Sequence, residues 1–160
     1  MARLRSYLVP TLLALGLVVL ATRIPLIVAV AGDKEPPMPA ACKSGPGAVR
    51  SALASAPRPV ALQGAPLSAC LSRTSSAAEV QQVGGDFLVV ASGLAPQATR
   101  RPASRSATEL GYLVGAVRKG AAATQGIHVE MVRRLEQEAV GVEGRSAAFR
   151  AGERAGRTSG

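Results

Sequence analysis

Apolar residues recur at helical spacing in the middle of the chain, beginning at Ser76. Ser76 and Glu79 have the spacing of a capping box, and a helical apolar face follows as far as Pro96: Val80, Val83, Phe87, Leu88, Ala91 and Leu94. Gly84 and Gly85 lie inside this helix, where each glycine costs about 1 kcal/mol relative to alanine. We therefore expect another element to pack closely against them.

A second apolar face keeps its helical phase from Leu110 to Val142. Ser106 and Glu109 repeat the capping-box spacing before it, and residues 120–126, "GAAATQG", are the candidate break. An unbroken helix over residues 107–142 would be about 54 Å long, twice the roughly 27 Å of the first helix. A turn near Gly126 gives a three-helix bundle. The retained phase favours one long, kinked helix in a helical hairpin, covered by the disulfide loop, a second subunit or a membrane surface.

The region before Ser76 is predicted to form a short helix and an irregular cover. Residues 44–57 have helix-start chemistry, one apolar face that includes Val49 and Leu53, and Pro57 as a stop. Residues 60–71 indicate a small hairpin around Gln63 and Gly64, or an irregular segment. Cys42 and Cys70 are the two cysteines, and in an exported chain we expect them to form a structural disulfide.

The N-terminal segment has the pattern of an export signal. Arg3 and Arg5 precede an apolar run from residue 7 to 31, and the acidic, proline-rich residues 32–41 follow as a spacer. Cleavage after Ala31 would release the chain, whereas the same 25 residues are long enough to span a bilayer of about 30 Å. Residues 1–31 are therefore a signal peptide or a signal anchor. The predicted location is a cell membrane, with the C-terminus extracytoplasmic, or the secreted fraction.

The small residues Gly111 and Gly115 share one stripe of the second helical region. Such a stripe lets another backbone approach closely, and we expect it to pack on the first long helix, with dimerisation as the alternative. Residues 115–122 resemble a phosphate-binding loop only in glycine spacing, because Ala121 and Ala122 replace the Lys and the Ser or Thr. His128 is the single histidine and has too few neighbouring ligand types for a metal site.

Charge and composition exclude some functions. The net charge is +9, and Arg100, Arg101 and Arg105 form the most basic loop, a candidate contact for an anionic ligand. Aromatic residues make up only 2% of the chain, so a stacking surface for nucleic acid is not expected. The sequence contains no arrangement that indicates a catalytic triad, a cofactor site or a buried acid pair.

The sequence thus predicts a mainly α protein with one disulfide: a domain at residues 42–142 and a basic flexible tail at residues 143–160. We expect a non-enzymatic module of bacterial type, either a protein-interaction module or an envelope-associated one. The bacterial membrane would be contacted through residues 7–31, and a protein partner or a second copy through the face 110–142. The alternative function is peripheral binding of an anionic envelope polymer or lipid through the Arg-rich loop and tail.

Overall fold

A computed structural model describes residues 36–160 of the chain. The predicted signal or anchor at residues 1–31 and its membrane contact lie outside the described residues. Pro36–Gly160 form one compact unit. Within this unit no helix combines the length and the apolarity that crossing a bilayer requires.

The described unit is mainly helical, with one very small sheet. After a single 3-10 turn at Ala40–Lys43, its elements follow in this order: α1 Gly45–Leu53, β1 Ala61–Leu62, β2 Ala65–Pro66, α2 Ala69–Ser72, α3 Ala77–Arg100, α4 Arg105–Ala121, α5 Ile127–Ala139 and α6 Ala147–Ser159. The predicted fold class, mainly α with one disulfide, is confirmed. The longer helices, however, number four among the described residues rather than the expected two or three.

The disulfide joins the start of the unit to helix α2. Cys42 and Cys70 are bonded, with their Cα atoms 5.3 Å apart, and both residues are buried. Between them lie α1, with Val49 and Leu53 in the core, and the hairpin β1–β2. The hairpin turns at Gln63 and Gly64, which both have positive φ, as a type I′ turn requires.

Helix α3 begins as predicted and ends later than predicted. The Ser76 hydroxyl accepts a hydrogen bond from the Glu79 N–H at 3.2 Å, which is the expected cap. The helix then runs through Pro96 to Arg100. Pro96 lies on the exposed side, where water can replace the lost hydrogen bond, while the neighbouring Leu94 and Ala98 stay buried.

Of the two interpretations of residues 107–142, the favoured one, a single kinked helix, is wrong, and the alternative, a turn near Gly126, is observed. Helix α4 ends at Ala121, and α5 begins at Ile127 after Gly126, whose φ of +65° breaks the helical backbone. The cap of α4 is Ser104, whose hydroxyl accepts from the Ala107 N–H, and not Ser106. Ser106 and Glu109 instead lie inside α4 and are buried.

The prediction of a flexible tail at residues 143–160 is also wrong. Residues 147–159 form helix α6, capped by the Ser146 hydroxyl, which accepts from the Phe149 N–H at 2.9 Å. The Phe149 side chain is fully buried, which contributes about 1.5 to 3 kcal/mol. Although residues 147–159 are rich in Gly, Ala and Arg, they form an amphipathic helix whose inner face consists mainly of small residues.

Helices α4 and α6 pack with their backbones almost in contact. A Cβ atom added to Gly111 or Gly115 would collide with the backbone of α6 at Phe149, Glu153 or Arg157. Reciprocally, Cβ atoms at Gly152 and Gly156 would collide with the backbone of α4. Gly111 lies against Phe149, and Gly115, four residues later, lies against Glu153, which follows Phe149 by four residues. The two helices are therefore parallel. The expected packing of Gly111 and Gly115 on the first long helix is wrong, because α6 occupies that stripe.

Candidate interaction surfaces

An open groove lies between helices α3 and α5. It has a volume of about 320 Å³ and apolar walls that include Leu88, Ile127 and Met131. Gly84 and Gly85 form its α3 side, and the two glycines differ: Met131 lies over Gly84, whereas nothing lies within 4 Å of a Cβ atom at Gly85. Gly84 is therefore covered by a side chain, and Gly85 is open.

The groove continues along the outer side of α3. A second section of about 360 Å³ shares Leu88 and Arg134 with the first and extends to Ser92 and Gln137. Between Val80 and Ser92 the groove follows α3 for about 18 Å, the length of three helical turns. Val89 forms its exposed apolar edge, with 59% of its surface accessible.

Charged residues of α5 form the polar rim of the groove. Glu130 accepts hydrogen bonds from Arg133 and from Arg134, both at 2.8 Å. Hydrogen bonds from these two guanidinium groups lower the pKa of Glu130 to about 2. The rim is therefore held as a fixed ion cluster beside an apolar floor, which is the anatomy of a protein-binding site with an apolar centre and a polar edge.

The predicted anionic contact residues have different surroundings. Arg105 forms a salt bridge with Glu109 at 3.2 Å and donates to the Ala54 carbonyl, so its charge is partly used inside the fold. Arg100 and Arg101 are exposed and form no salt bridge with another residue of the described unit. Only these last two stay available as free cations of the predicted loop.

Helix α6 adds exposed arginines that the sequence reading assigned to a tail. Arg150 and Arg154 lie on the outer face of α6 and have no carboxylate partner among residues 36–160. Arg157 on the same face is paired with Glu153 at 2.7 Å. Because the opposite face of the helix is fixed by glycine packing, these arginines project from a rigid support.

Arg118 connects the three C-terminal helices. Its guanidinium group, 21% exposed, lies 2.6 Å from Glu136 of α5, 3.4 Å from Glu143 and in contact with Glu153 of α6. One half-buried cation thus neutralises carboxylates from two neighbouring helices and their connection. This cluster is best explained as structural, because every group in it has a partner.

Glu109 is the buried carboxylate of the described unit, 5% exposed. Burial raises its pKa, although the charges of Arg50 and Arg105 act in the opposite direction. Arg50 lies 3.8 Å away on α1, so Glu109 helps to hold α1 against α4. Glu109 lines neither section of the groove between α3 and α5, which favours a packing role over acid–base chemistry.

His128 is held at the start of α5. Its Nε2 atom lies 2.8 Å from the Thr74 hydroxyl, and that hydroxyl also lies 2.8 Å from the Leu71 carbonyl oxygen, to which it donates. With its hydrogen used in this way, the Thr74 oxygen accepts from the Nε2–H.

The phosphate-loop spacing also lies in a packed helix. Gly115 and Gly120 are both within α4, and added Cβ atoms would collide with backbone atoms of Glu153 and Ser68 respectively. No space is left there for a phosphate group. Nor does the described unit contain a group of three His, Cys, Asp or Glu side chains that could hold a metal ion.

Helix α6 was the main feature that sequence reasoning missed, and one signal could have revealed it. Gly152, Gly156 and Gly160 are spaced by four residues, as are Gly111 and Gly115. Two segments with matching small-residue spacing are typical of helices that approach closely.

Comparisons with protein-family models, curated proteins and solved structures find no match to this chain. Its function is therefore inferred from its own surfaces.

Proposed function

We propose that this chain is a non-enzymatic, extracytoplasmic module of a bacterial envelope that binds a partner protein through the groove between α3 and α5. The observation that carries the proposal is the shape of this groove: it follows α3 for about 18 Å, has Leu88, Ile127 and Met131 in its first section, is open at Gly85 and is bordered by charges. An amphipathic helix of about three turns has the matching length and polarity.

The proposed occupant would place aliphatic side chains over Gly85 and beside Leu88. Grooves of this kind recognise a helix through apolar anchors at intervals of three and four residues. The exposed Val89 would extend the apolar contact beyond the groove itself. The predicted interaction face at residues 110–142 is revised accordingly, because α4 is buried on nearly all sides and only α5 contributes to this surface.

The extracytoplasmic location rests on the sequence of residues 1–31. An uncleaved segment would keep the module at the membrane, and a cleaved one would release it. Cell fractionation followed by N-terminal sequencing distinguishes the two. A chain recovered in the cytoplasm with its first residues intact would contradict this part of the proposal.

The groove can be tested by photo-crosslinking in the organism that produces the chain. A photoreactive phenylalanine at position 85 is expected to give one adduct of defined mass, because side-chain space is open there. Position 144 serves as the control, since an added side chain at Gly144 also meets nothing within 4 Å, but outside the groove.

Salt gives the second arm of this experiment. A contact made by apolar walls should persist when the salt concentration is raised to about 1 M, where charges are screened beyond about 3 Å. The proposal fails if position 85 gives no adduct, if position 144 gives the same adduct, or if the adduct disappears at high salt.

A further inference from the structure

The basic residues of two distant segments meet at one end of the helical unit. The Ser146 hydroxyl, just before α6, donates to the Pro102 carbonyl in the loop between α3 and α4. Near the same place, a Cβ atom added to Gly141 would lie 3.1 Å from the hydroxyl oxygen of Thr99. The basic loop and the start of α6, which are more than 40 residues apart, are therefore neighbours.

This contact assembles a basic surface from five arginines. All five are exposed, and none forms a salt bridge with a residue of the described unit: Arg100, Arg101, Arg145, Arg150 and Arg154. We call them the basic surface. Two carboxylates near this end are engaged elsewhere, Glu109 with Arg105 and Glu143 with Arg118, whereas Glu138 forms no salt bridge within the described unit and lines the groove instead.

Two of these side chains are positioned by the backbone. Arg145 donates to the Gly141 carbonyl at 2.8 Å, and Arg150 donates to the Gly144 carbonyl at 3.4 Å. A carbonyl oxygen orients a guanidinium group without cancelling its charge, and four of the five N–H donors remain free. These two arginines are thus held in place while keeping the capacity to bind phosphate oxygens in pairs.

We propose that the basic surface docks on an anionic lipid bilayer by binding the phosphates of its head groups. Three observations favour this partner. The arginines line neither section of the groove described above and are all exposed, which suits the surface of a bilayer. The aromatic side chains of the described unit, Phe87, Tyr112 and Phe149, are all buried, which disfavours single-stranded nucleic acid.

The third observation is the predicted export segment, which would bring the unit close to a membrane. No large apolar side chain accompanies the arginines on the outer face of α6, so docking through this face is electrostatic. The surface is separate from the groove between α3 and α5, so a partner protein and a bilayer can be bound together.

The test uses the full chain reconstituted in bilayers, with a donor dye on Ala147→Cys, an exposed position at the start of α6. The native cysteines are disulfide-bonded and buried, so they do not take the label. Energy transfer to acceptor dyes on lipid head groups then reports docking, whether or not the N-terminal segment is inserted. We expect high transfer in bilayers with phosphatidylglycerol and low transfer in pure phosphatidylcholine.

The variant Arg150→Gln/Arg154→Gln should weaken docking about 30-fold, since each arginine at an anionic surface strengthens binding about fivefold. The control Arg73→Gln/Lys119→Gln removes the same charge outside the basic surface, at the end of the unit where Lys119 contacts Thr158, and should keep docking within about twofold. For the unaltered chain, raising the salt concentration to about 0.5 M should abolish the transfer, a result that does not depend on any variant folding.

Equal transfer in the two kinds of bilayer, or equal loss in the two double variants, would overturn the proposal. Release of the unit by soluble polyphosphate at the same phosphate concentration as the lipid would assign the basic surface to a soluble polyanion instead.

Discussion

Glycines between helices α4 and α6 and glycines on helix α3 have opposite surroundings. Between α4 and α6, Gly111, Gly115, Gly152 and Gly156 let the backbones approach so closely that no Cβ atom fits. On α3, Gly85 and Gly93 meet nothing within 4 Å. Glycines four residues apart thus give a closed interface between α4 and α6, whereas the two glycines eight residues apart on α3 give an open surface. Glycine spacing shows where a backbone can approach, and the structure shows whether one does.

The largest expected effect comes from closing the space between α4 and α6. In Gly152→Ala the new methyl group would overlap the Thr108 carbonyl oxygen and lie 3.0 Å from the Tyr112 nitrogen. Both obstacles are backbone atoms and cannot rotate away. We expect the free energy of unfolding to fall by about 3 kcal/mol or more, measured by urea denaturation of the full chain in mild detergent. Gly144→Ala, where the methyl group meets nothing, is the control. Equal stabilities would refute the close packing.

A smaller effect of opposite sign is expected at the open position. Gly85→Ala places a methyl group in empty space on a helix, and alanine restricts the unfolded chain, so stability should rise by about 0.5 to 1 kcal/mol. At Gly84 the same change brings the methyl group 2.6 Å from Met131 Cγ, which must move. Gly84→Ala should therefore gain less than Gly85→Ala or lose stability. If the two adjacent variants gain equally, Met131 does not cover Gly84.

The smallest expected effects are changes of stability with pH. They differ between Glu109 in the covered region and Glu130 at the open groove. Burial raises the pKa of Glu109 above its ordinary value of 4.5, so folding favours its protonated form. Its contribution to stability is present below pH 4.5 and is lost as the pH rises through the raised pKa. Glu109→Gln does not ionise. Its stability relative to the unaltered chain should therefore rise between pH 4 and pH 7.

At the groove rim the sign reverses. Glu130 has a pKa of about 2 in the folded chain, so its contribution is present above pH 4.5 and is lost as the pH falls through about 2. Glu130→Gln should be less stable than the unaltered chain at pH 7, and the difference should shrink towards pH 2. Urea denaturation at pH 3, 5 and 7 measures both variants. Parallel pH profiles for the two would contradict the assigned environments.

Local patterns predicted local structure well in this chain. The cap at Ser76, the face of α1 and the hairpin turn at Gln63 and Gly64 depend on neighbouring residues, and the structure contains all three. The disulfide between Cys42 and Cys70 followed from their being the only two cysteines, and it is confirmed.

The failures arose where tertiary contacts decide the outcome. Helical phase continued across Gly126, but a positive φ there separates α4 from α5. Glu109 matched a capping position, yet it lies buried inside α4, beside Arg50 and Arg105. Helix α6 has few large apolar residues, and its stability depends on contact with the backbone of α4. No local pattern within residues 147–159 identifies α4 as the partner. The two proposed surfaces are consequences of these long-range contacts, which explains why only Arg100, Arg101 and part of α5 were anticipated.

The Tyr112 hydroxyl gives this fold a built-in optical reporter. It accepts a hydrogen bond from the Val60 N–H at 2.9 Å, next to the hairpin, and lies 3.3 Å from the Ser159 hydroxyl at the end of α6. The chain has no tryptophan, and its other tyrosine is Tyr7, in the predicted export segment. Near-ultraviolet circular dichroism of the phenol band should therefore follow the undocking of the hairpin and of α6 from α4 without any introduced label.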